Sequence, residues 1–174
     1  MKPKGKIYID GANIFYTQQK LGWFIDWKKV KKYLQQRWGI LEINYYTGVK
    51  PKDDKMASFL RYLDQIGVKS ITKPIKIIKI DNDHPLKKLY NYSEKYKSDC
   101  DVEMATDILL ERKEIDEIIL FTGGSDFQYL VKKLKDTGKK VIIFSSRKTI
   151  SWEMKLESSE YIYLEDIKKK IARK

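Results

Sequence analysis

Cysteine and histidine are almost missing, with Cys100 and His84 the single examples of each in 174 residues. One cysteine excludes an intramolecular disulfide and a cysteine-rich zinc site, and one histidine excludes a multi-histidine metal site. A metal bound here must be held mainly by oxygen. Long apolar runs are also lacking, since no stretch approaches the ~20 residues of a membrane span. The basic N-terminus leads to only Ile7-Tyr8-Ile9 before Asp10, far short of the apolar region of a signal peptide. The expectation is a cytoplasmic protein with no membrane partner. There is no Ser/Gly linker and no internal repeat, and the Lys-rich tail Lys168 to Lys174 is the one low-complexity run. A hydrophobic content of 42% supports one domain spanning 1–174 but not two independent cores.

Positive charge is abundant. Lys and Arg number 36 against 24 Asp and Glu, for a net charge of +12, which favours a polyanionic partner, nucleic acid before membrane. The excess is uneven. Residues 1–50 carry 10 bases and 3 acids, whereas residues 101–150 carry 9 of each, so the acids concentrate where the bases do not.

Short apolar runs alternate with amphipathic stretches, the pattern of βαβ crossovers and a mostly parallel sheet. The strand candidates are Lys6 to Asp10, Leu41 to Thr47, Ser70 to Ile80, Glu117 to Thr122, Lys140 to Ser145 and Tyr161 to Leu164. Helical spacing joins Trp27, Val30, Tyr33, Leu34 and Trp38, and again Met56, Phe59, Leu60, Leu63 and Ile66. Gly39, Gly67 and Gly138 follow such stretches, where a helix end favours a left-handed residue. The polar segment Asp81 to Asp99 has no clean period and reads as a loop with a short helical turn.

In an open parallel sheet, ligands bind beyond the carboxyl ends of the strands where the strand order reverses. Asp10 closes the first strand in Asp10-Gly11-Ala12-Asn13, and Asp126 follows the fourth in Thr122-Gly123-Gly124-Ser125-Asp126-Phe127. With a strand order of 3-2-1-4-5 these acids face each other across one crevice. The stretch Asp99-Cys100-Asp101-Val102-Glu103 to Asp107 opens a further helix dense in carboxylates. Three or four such groups without His or Cys suit Mg²⁺ or Mn²⁺, which activate water and neutralise charge on a phosphodiester.

On these motifs the sequence resembles the NYN family of PIN-like nuclease domains, especially its LabA-like branch. The resemblance rests on Asp10-Gly-Ala-Asn13, on Asp101-Val-Glu-Met-Ala-Thr-Asp107 and on Gly123-Gly124-Ser125-Asp126-Phe127 before a helix. It implies a Rossmann-like PIN fold of about five or six mostly parallel strands flanked by helices, and metal-dependent cleavage of RNA. By position it implies a metal cluster of Asp10, Asp101 and Asp126 supported by Asn13, with Asp107 as a further member; an extra residue between Lys97 and Asp101 makes Asp99 the alternative ligand, for the role of an acid missing at Gly124. Many relatives read Ser-Gly-Asp-Ser-Asp-Phe where this chain has Gly124, so an acid is replaced here. Gly124 either leaves a ligand position vacant or serves a positive φ angle.

Simpler readings stand beside these. Asp-Gly pairs are common in turns, Asn13 can cap a helix, and Ser125 and Asp126 occupy a helix start where capping favours them. At ~100° per residue Asp107 lies well round from Asp101, so at most two of Asp101, Glu103 and Asp107 reach one metal. Glu111, Glu114, Asp116 and Glu117 read as a solvated helix end and turn, and Lys28, Lys29, Lys31 and Lys32 as a wet helix face. Cys100 reads as a small buried hydrophobe. Backbone N–H groups of Gly123-Gly124 suit a phosphate, but the spacing of a nucleotide-binding loop is missing. Lys87, Lys88, Tyr90, Tyr92, Lys95 and Lys97, with Ser125, have the composition to bind RNA; ordinary solvated lysines account for the segment equally well.

The expected activity is ribonuclease, with RNA as partner and Mg or Mn as cofactor, and homo-oligomerisation left open. The alternative is a catalytically weak or inactive RNA-binding module of the same fold. A phosphatase using Asp10 as nucleophile is disfavoured because Ala12 stands where its second Asp is expected.

Overall fold

Parallel strands dominate the computed structural model, which describes residues 1–79, 94–97, 99–111 and 114–174, with backbone only for 77, 78 and 94–97. Six strands form one sheet in the order β3-β2-β1-β6-β7-β8, every neighbouring pair parallel. They are β1 (Lys4–Asp10), β2 (Gly39–Val49), β3 (Lys69–Pro74), β6 (Glu117–Phe121), β7 (Lys140–Ser145) and β8 (Glu160–Tyr163). The remaining two, β4 (Lys76–Lys79) and β5 (Glu94–Lys97), pair antiparallel in a separate sheet. Among the described residues the helices are α1 (Gly11–Leu21), α2 (Trp27–Arg37), α3 (Asp54–Gln65), α4 (Asp101–Leu109), α5 (Gln128–Asp136), α6 (Trp152–Glu157) and α7 (Lys168–Ile171).

Each central strand is buried on both faces because its successive side chains point to opposite layers. Ile7, Ile9, Phe121 and Phe144 join Ile14, Trp27, Leu34, Leu63 and Ile171 from α1, α2, α3 and α7. Tyr8, Ile118, Leu120 and Ile143 face the opposite way and meet Met104, Ile108, Val131 and Met154 from α4, α5 and α6. The helices therefore cover both faces, as a doubly wound sheet requires.

The structure corrects several expectations. The run expected as one strand is divided between β3, which ends at Pro74, and β4, which begins at Lys76, because Pro74 has no N–H to extend a ladder; Ile75 still donates to the Val49 carbonyl at 2.9 Å before the chain leaves the main sheet, and Ile80 lies outside the described residues. The segment 81–99 contains β5, which its Glu-Lys-Tyr-Lys sequence does not announce by any apolar alternation. His84, Pro85, Lys87, Lys88, Tyr90 and Tyr92 lie outside the described residues, while Lys95 and Lys97 belong to β5. Gly67 and Gly138 do have positive φ, +71° and +81°, but Gly39 does not: α2 stops on extended Trp38, and Gly39 begins β2.

The acids around residue 114 are a solvated turn only in part, since Glu114 and Asp116 are exposed whereas Glu111 is half-buried and Glu117 buried. Glu117 is buried and accepts from the indole N–H of Trp38 at 2.6 Å, Asp116 accepts from the Lys4 N–H at 2.7 Å, and Glu111 pairs with buried Lys6. These acids anchor the amino end of the sheet, away from the end where Asp10 sits. Two lysines of α2 likewise do more than meet water, since Lys29 donates to the Ala172 carbonyl and Lys31 to that of Ile66, each at 2.7 Å.

Candidate functional site

The sheet order reverses between β1 and β6, which are neighbours although β1 continues to β2 and β6 to β7. In an open parallel sheet the loops leaving the carboxyl ends diverge at such a point, which makes it the position of the ligand crevice. Asp10 is the last residue of β1 and also the N-cap of α1. Its Oδ1 accepts the Asn13 N–H at 3.0 Å, and its Oδ2 accepts the Thr122 hydroxyl at 3.0 Å. Asn13 does not cap; its Oδ1 accepts the Gly123 N–H at 3.0 Å, while the Gly124 N–H donates to Thr122 Oγ1 at 3.3 Å. The two loops are thus stitched together by Asp10, Asn13 and Thr122. Both glycine N–H groups are spent on this stitching, so they do not form a phosphate cradle.

Close backbone approach explains two of the glycines here. A Cβ on Gly11 would lie 2.5 Å from the Tyr46 carbonyl oxygen, and one on Gly123 would lie 2.5 Å from that of Thr149. Gly11 is therefore the first residue of a helix pressed against β2, not a turn residue. Gly124 differs, with φ −69° and ψ 131° and space for a Cβ at 3.7 Å from Asn13 Nδ2 and Thr122 Oγ1. A positive φ is not the reason for this glycine.

Carboxylates from three elements influence one another across the crevice. Burial foremost raises the pKa of Asp10, and Asp126 adds to the rise, while hydrogen bonds from Asn13, Thr122 and Ala12 work against it. Asp101, the first residue of α4, is pushed up to about 6 by burial and then by the charges of Asp10, Asp99, Asp126 and Glu103. Asp126 lies exposed on a single 3₁₀ turn, Ser125–Phe127, beside exposed Ser125. No side chain caps that turn or the following α5, so capping does not account for Asp126.

The other acids of α4 are directed elsewhere, as helical geometry requires. Glu103 pairs with Lys73 at 2.8 Å, and Asp107 accepts the Tyr46 hydroxyl at 2.8 Å. Cys100 is buried, and burial foremost pushes its thiol up to about 11, an inert environment for a nucleophile.

Among the described residues, no three His, Cys, Asp or Glu side chains converge, as they stand, tightly enough to hold a metal ion. The donor set still matches a hard cation in chemistry, being carboxylate oxygens whose mutual repulsion a dication relieves.

Several residues at this end of the sheet were not singled out by sequence reasoning. Thr122 orients Asp10, and buried Tyr45 has its phenol pKa raised by burial and by the Asp10 charge. On the far side, α6 packs against the turn carrying Asp126, and Ser151 donates to the Gly123 carbonyl at 2.9 Å. That places exposed Trp152 beside the crevice, with Lys155 Nζ 6.0 Å from its ring and 5.8 Å from that of Tyr163, itself 4.1 Å from the Arg147 guanidinium. Position alone was the available signal, since Arg147 to Trp152 follow the carboxyl end of a strand.

Three comparisons agree with this architecture. The NYN domain model matches residues 5–165. The low amplitude and bright protein LabA of Synechococcus elongatus is 31% identical over 169 residues, covering 96% of this chain and 87% of that protein. The crystal structure of a Vibrio parahaemolyticus protein of unknown function superposes with a TM-score of 0.77 at 20% identity, covering 99% of this chain and 97% of the other, which is a likeness of fold.

Proposed function

This chain belongs to the NYN domain family of PIN-like, nuclease-type domains, and on that premise we propose that it is a divalent-metal-dependent ribonuclease acting at the β1–β6 crevice. One observation carries the reading. Asp10 at the end of β1, Asp101 at the start of α4 and Asp126 after β6 are near enough for the charges of Asp10 and Asp126 to help lift Asp101 to about 6. Two acids with raised pKa values, Asp10 and Asp101, set beside a third carboxylate and drawn from separate elements, support a functional site there.

Asp10, Asp101 and Asp126 would hold Mg²⁺ or Mn²⁺. Asp99 is the nearer further ligand, because the Asp107 carboxylate serves Tyr46. The cation, when bound, activates water and neutralises phosphodiester charge. The chain's own residues do the positioning. Thr122 fixes the Asp10 carboxylate, and Asn13 ties the two loops through its Oδ1 while its Nδ2 lies on the Gly124 side, placed to donate to a phosphate oxygen. Exposed Trp152 with Lys155 offers a stacking face and charge to single-stranded RNA on the Asp126 side, while Arg147 is taken up by Asp166 and the Tyr163 ring. The 174 residues are read as one domain.

The RNA-binding module of the same fold is the second reading, favoured by the lack of three converged ligands among the described residues. An assay on single-stranded and structured RNA with Mg²⁺, Mn²⁺ or chelator decides between the two. Metal-dependent cleavage that Asp10→Asn and Asp101→Asn abolish, with folding and RNA binding retained, is expected. RNA binding without cleavage by the wild type under any metal condition establishes the module instead.

A further inference from the structure

On the side of Asp10 opposite Trp152, the surface holds a cavity of about 490 Å³, within the 300–1,000 Å³ range usual for small-ligand pockets. Its wall includes Gly11 and Ala12, the two residues that follow Asp10, so it opens beside the candidate site. Trp27, Tyr45 and Phe59 line it, with Tyr45 edge-on to Trp27 at 5.5 Å and to Phe59 at 5.4 Å between ring centroids. Phe15 and Phe24 also line it, yet each remains 54% exposed. Two large apolar rings kept in water at the mouth of an aromatic cavity are costly unless something covers them.

The charges at the cavity point to the occupant. Lys55 and Arg173 line it and are exposed, and the Arg173 backbone N–H bonds the Phe24 carbonyl at 2.8 Å, which anchors the cation beside the ring. The acid in the wall, Asp53, is engaged as the N-cap of α3 through Met56. Aromatic faces that stack a base, with cations for its phosphates, are the components of a single-strand nucleotide site.

We propose that this cavity receives a base of single-stranded RNA flanking the phosphodiester held at Asp10, stacked against Phe15 and Phe24 with its phosphates near Lys55 and Arg173. The proposal rests on the nuclease reading and deepens it. RNA then crosses the crevice between two stacking surfaces, Phe15 and Phe24 on one flank and Trp152 on the other.

Calorimetric titration of the metal-free, full-length protein with the four nucleoside 5′-monophosphates tests the pocket without relying on cleavage. Ribose 5-phosphate serves as the base-free control. At least one nucleotide should bind roughly 10-fold or more tightly than the control, and Phe15→Ala with Phe24→Ala should weaken it roughly 5- to 100-fold, the range of base-aromatic stacking. Both rings are exposed, so the variant should retain its thermal unfolding, and Lys55→Ala with Arg173→Ala provides an independent variant that leaves the rings intact. Equal binding of ribose 5-phosphate, or nucleotide affinity unmoved by both variants, overturns the pocket. So does an apolar dye that binds there and is not displaced by nucleotides, which indicates an apolar partner. RNA cleavage that persists while nucleotide binding fails refutes the pocket alone, whereas ring-dependent nucleotide binding without cleavage refutes the nuclease reading alone.

Discussion

The Thr122 hydroxyl donates to Asp10 Oδ2 at 3.0 Å, linking the carboxyl ends of β1 and β6 at the point where the sheet reverses its winding. Thr122 is fully buried, and the same oxygen accepts from the Gly124 N–H. Thr122→Val keeps the shape but orphans both partners. It should cost about 1–3 kcal/mol in chemical denaturation. It should also raise the Asp10 pKa further, because this bond favours the charged form. Carboxyl chemical shifts followed through an NMR titration measure the second effect.

The neighbouring glycines should respond oppositely to alanine. Gly123→Ala drives a methyl to 2.5 Å from the Thr149 carbonyl oxygen and 2.6 Å from Ser145 Oγ, and overpacking of this kind costs about 1–3 kcal/mol. Gly124 has extended backbone angles any residue adopts and room for a Cβ. Gly124→Ala should therefore be neutral or stabilise by about 0.4–1 kcal/mol through the unfolded chain. Urea midpoints of the two variants give the comparison.

Gly124→Asp then asks whether a ligand position stands vacant. A carboxylate there adds to the repulsion in the crevice, so the metal-free melting temperature should fall or hold level while Mn²⁺ affinity rises. Calorimetric titration beside melting curves in chelator and in millimolar Mn²⁺ records both. Unchanged affinity would show that residue 124 does not face the cation.

Stability of the metal-free protein should depend on Asp101 in one pH window. Its folded-state pKa of about 6 lies above the ordinary value of 3.8, so the native state holds the proton more tightly than the unfolded chain. The stabilisation this gives is complete below about 3.8, declines as pH rises towards 6 and is gone above it. Asp101 is half-buried and solvent screens it, so the loss should be about 1 kcal/mol, less than the full shift implies. Asp101→Asn should remove that decline, leaving the variant more stable than wild type above pH 6 but not below pH 4. Denaturation in chelator between pH 3.5 and 7.5 follows the effect.

RNA affinity should separate stacking from charge on the Asp126 flank. Trp152 is exposed, so Trp152→Ala should leave folding within about 0.5 kcal/mol. It should weaken single-stranded RNA binding roughly 5- to 100-fold at every salt concentration. Lys155→Ala should instead lower the slope of log affinity against log salt by about 1. Fluorescence anisotropy across a salt series distinguishes the two, and a Trp152→Ala variant with wild-type affinity removes this face from the RNA path.

Periodicity in the sequence determined the alternation of strands and helices, and with it the parallel sheet, the placing of Asp10 at a strand end and that of Asp126 in the loop after one. Those features are local, because burial on both faces imposes apolar strands and one-sided helices wherever they occur. Motif order likewise carried the family resemblance. Only the tertiary structure decided which acids meet. Glu117 reads as part of a wet turn yet is buried against Trp38, 79 positions away, and of the two further acids beside the cluster, Asp107 accepts from Tyr46. Thr122, Tyr45, Trp152 and the Phe15–Phe24 cavity mouth carry no signature in the chain, since each acquires its part from residues remote in sequence. Gly123 and Gly124 are the same letter twice. One is a steric necessity beneath Thr149 and the other an open position beside Asn13, a difference set by the atoms that folding brings within reach of each Cα.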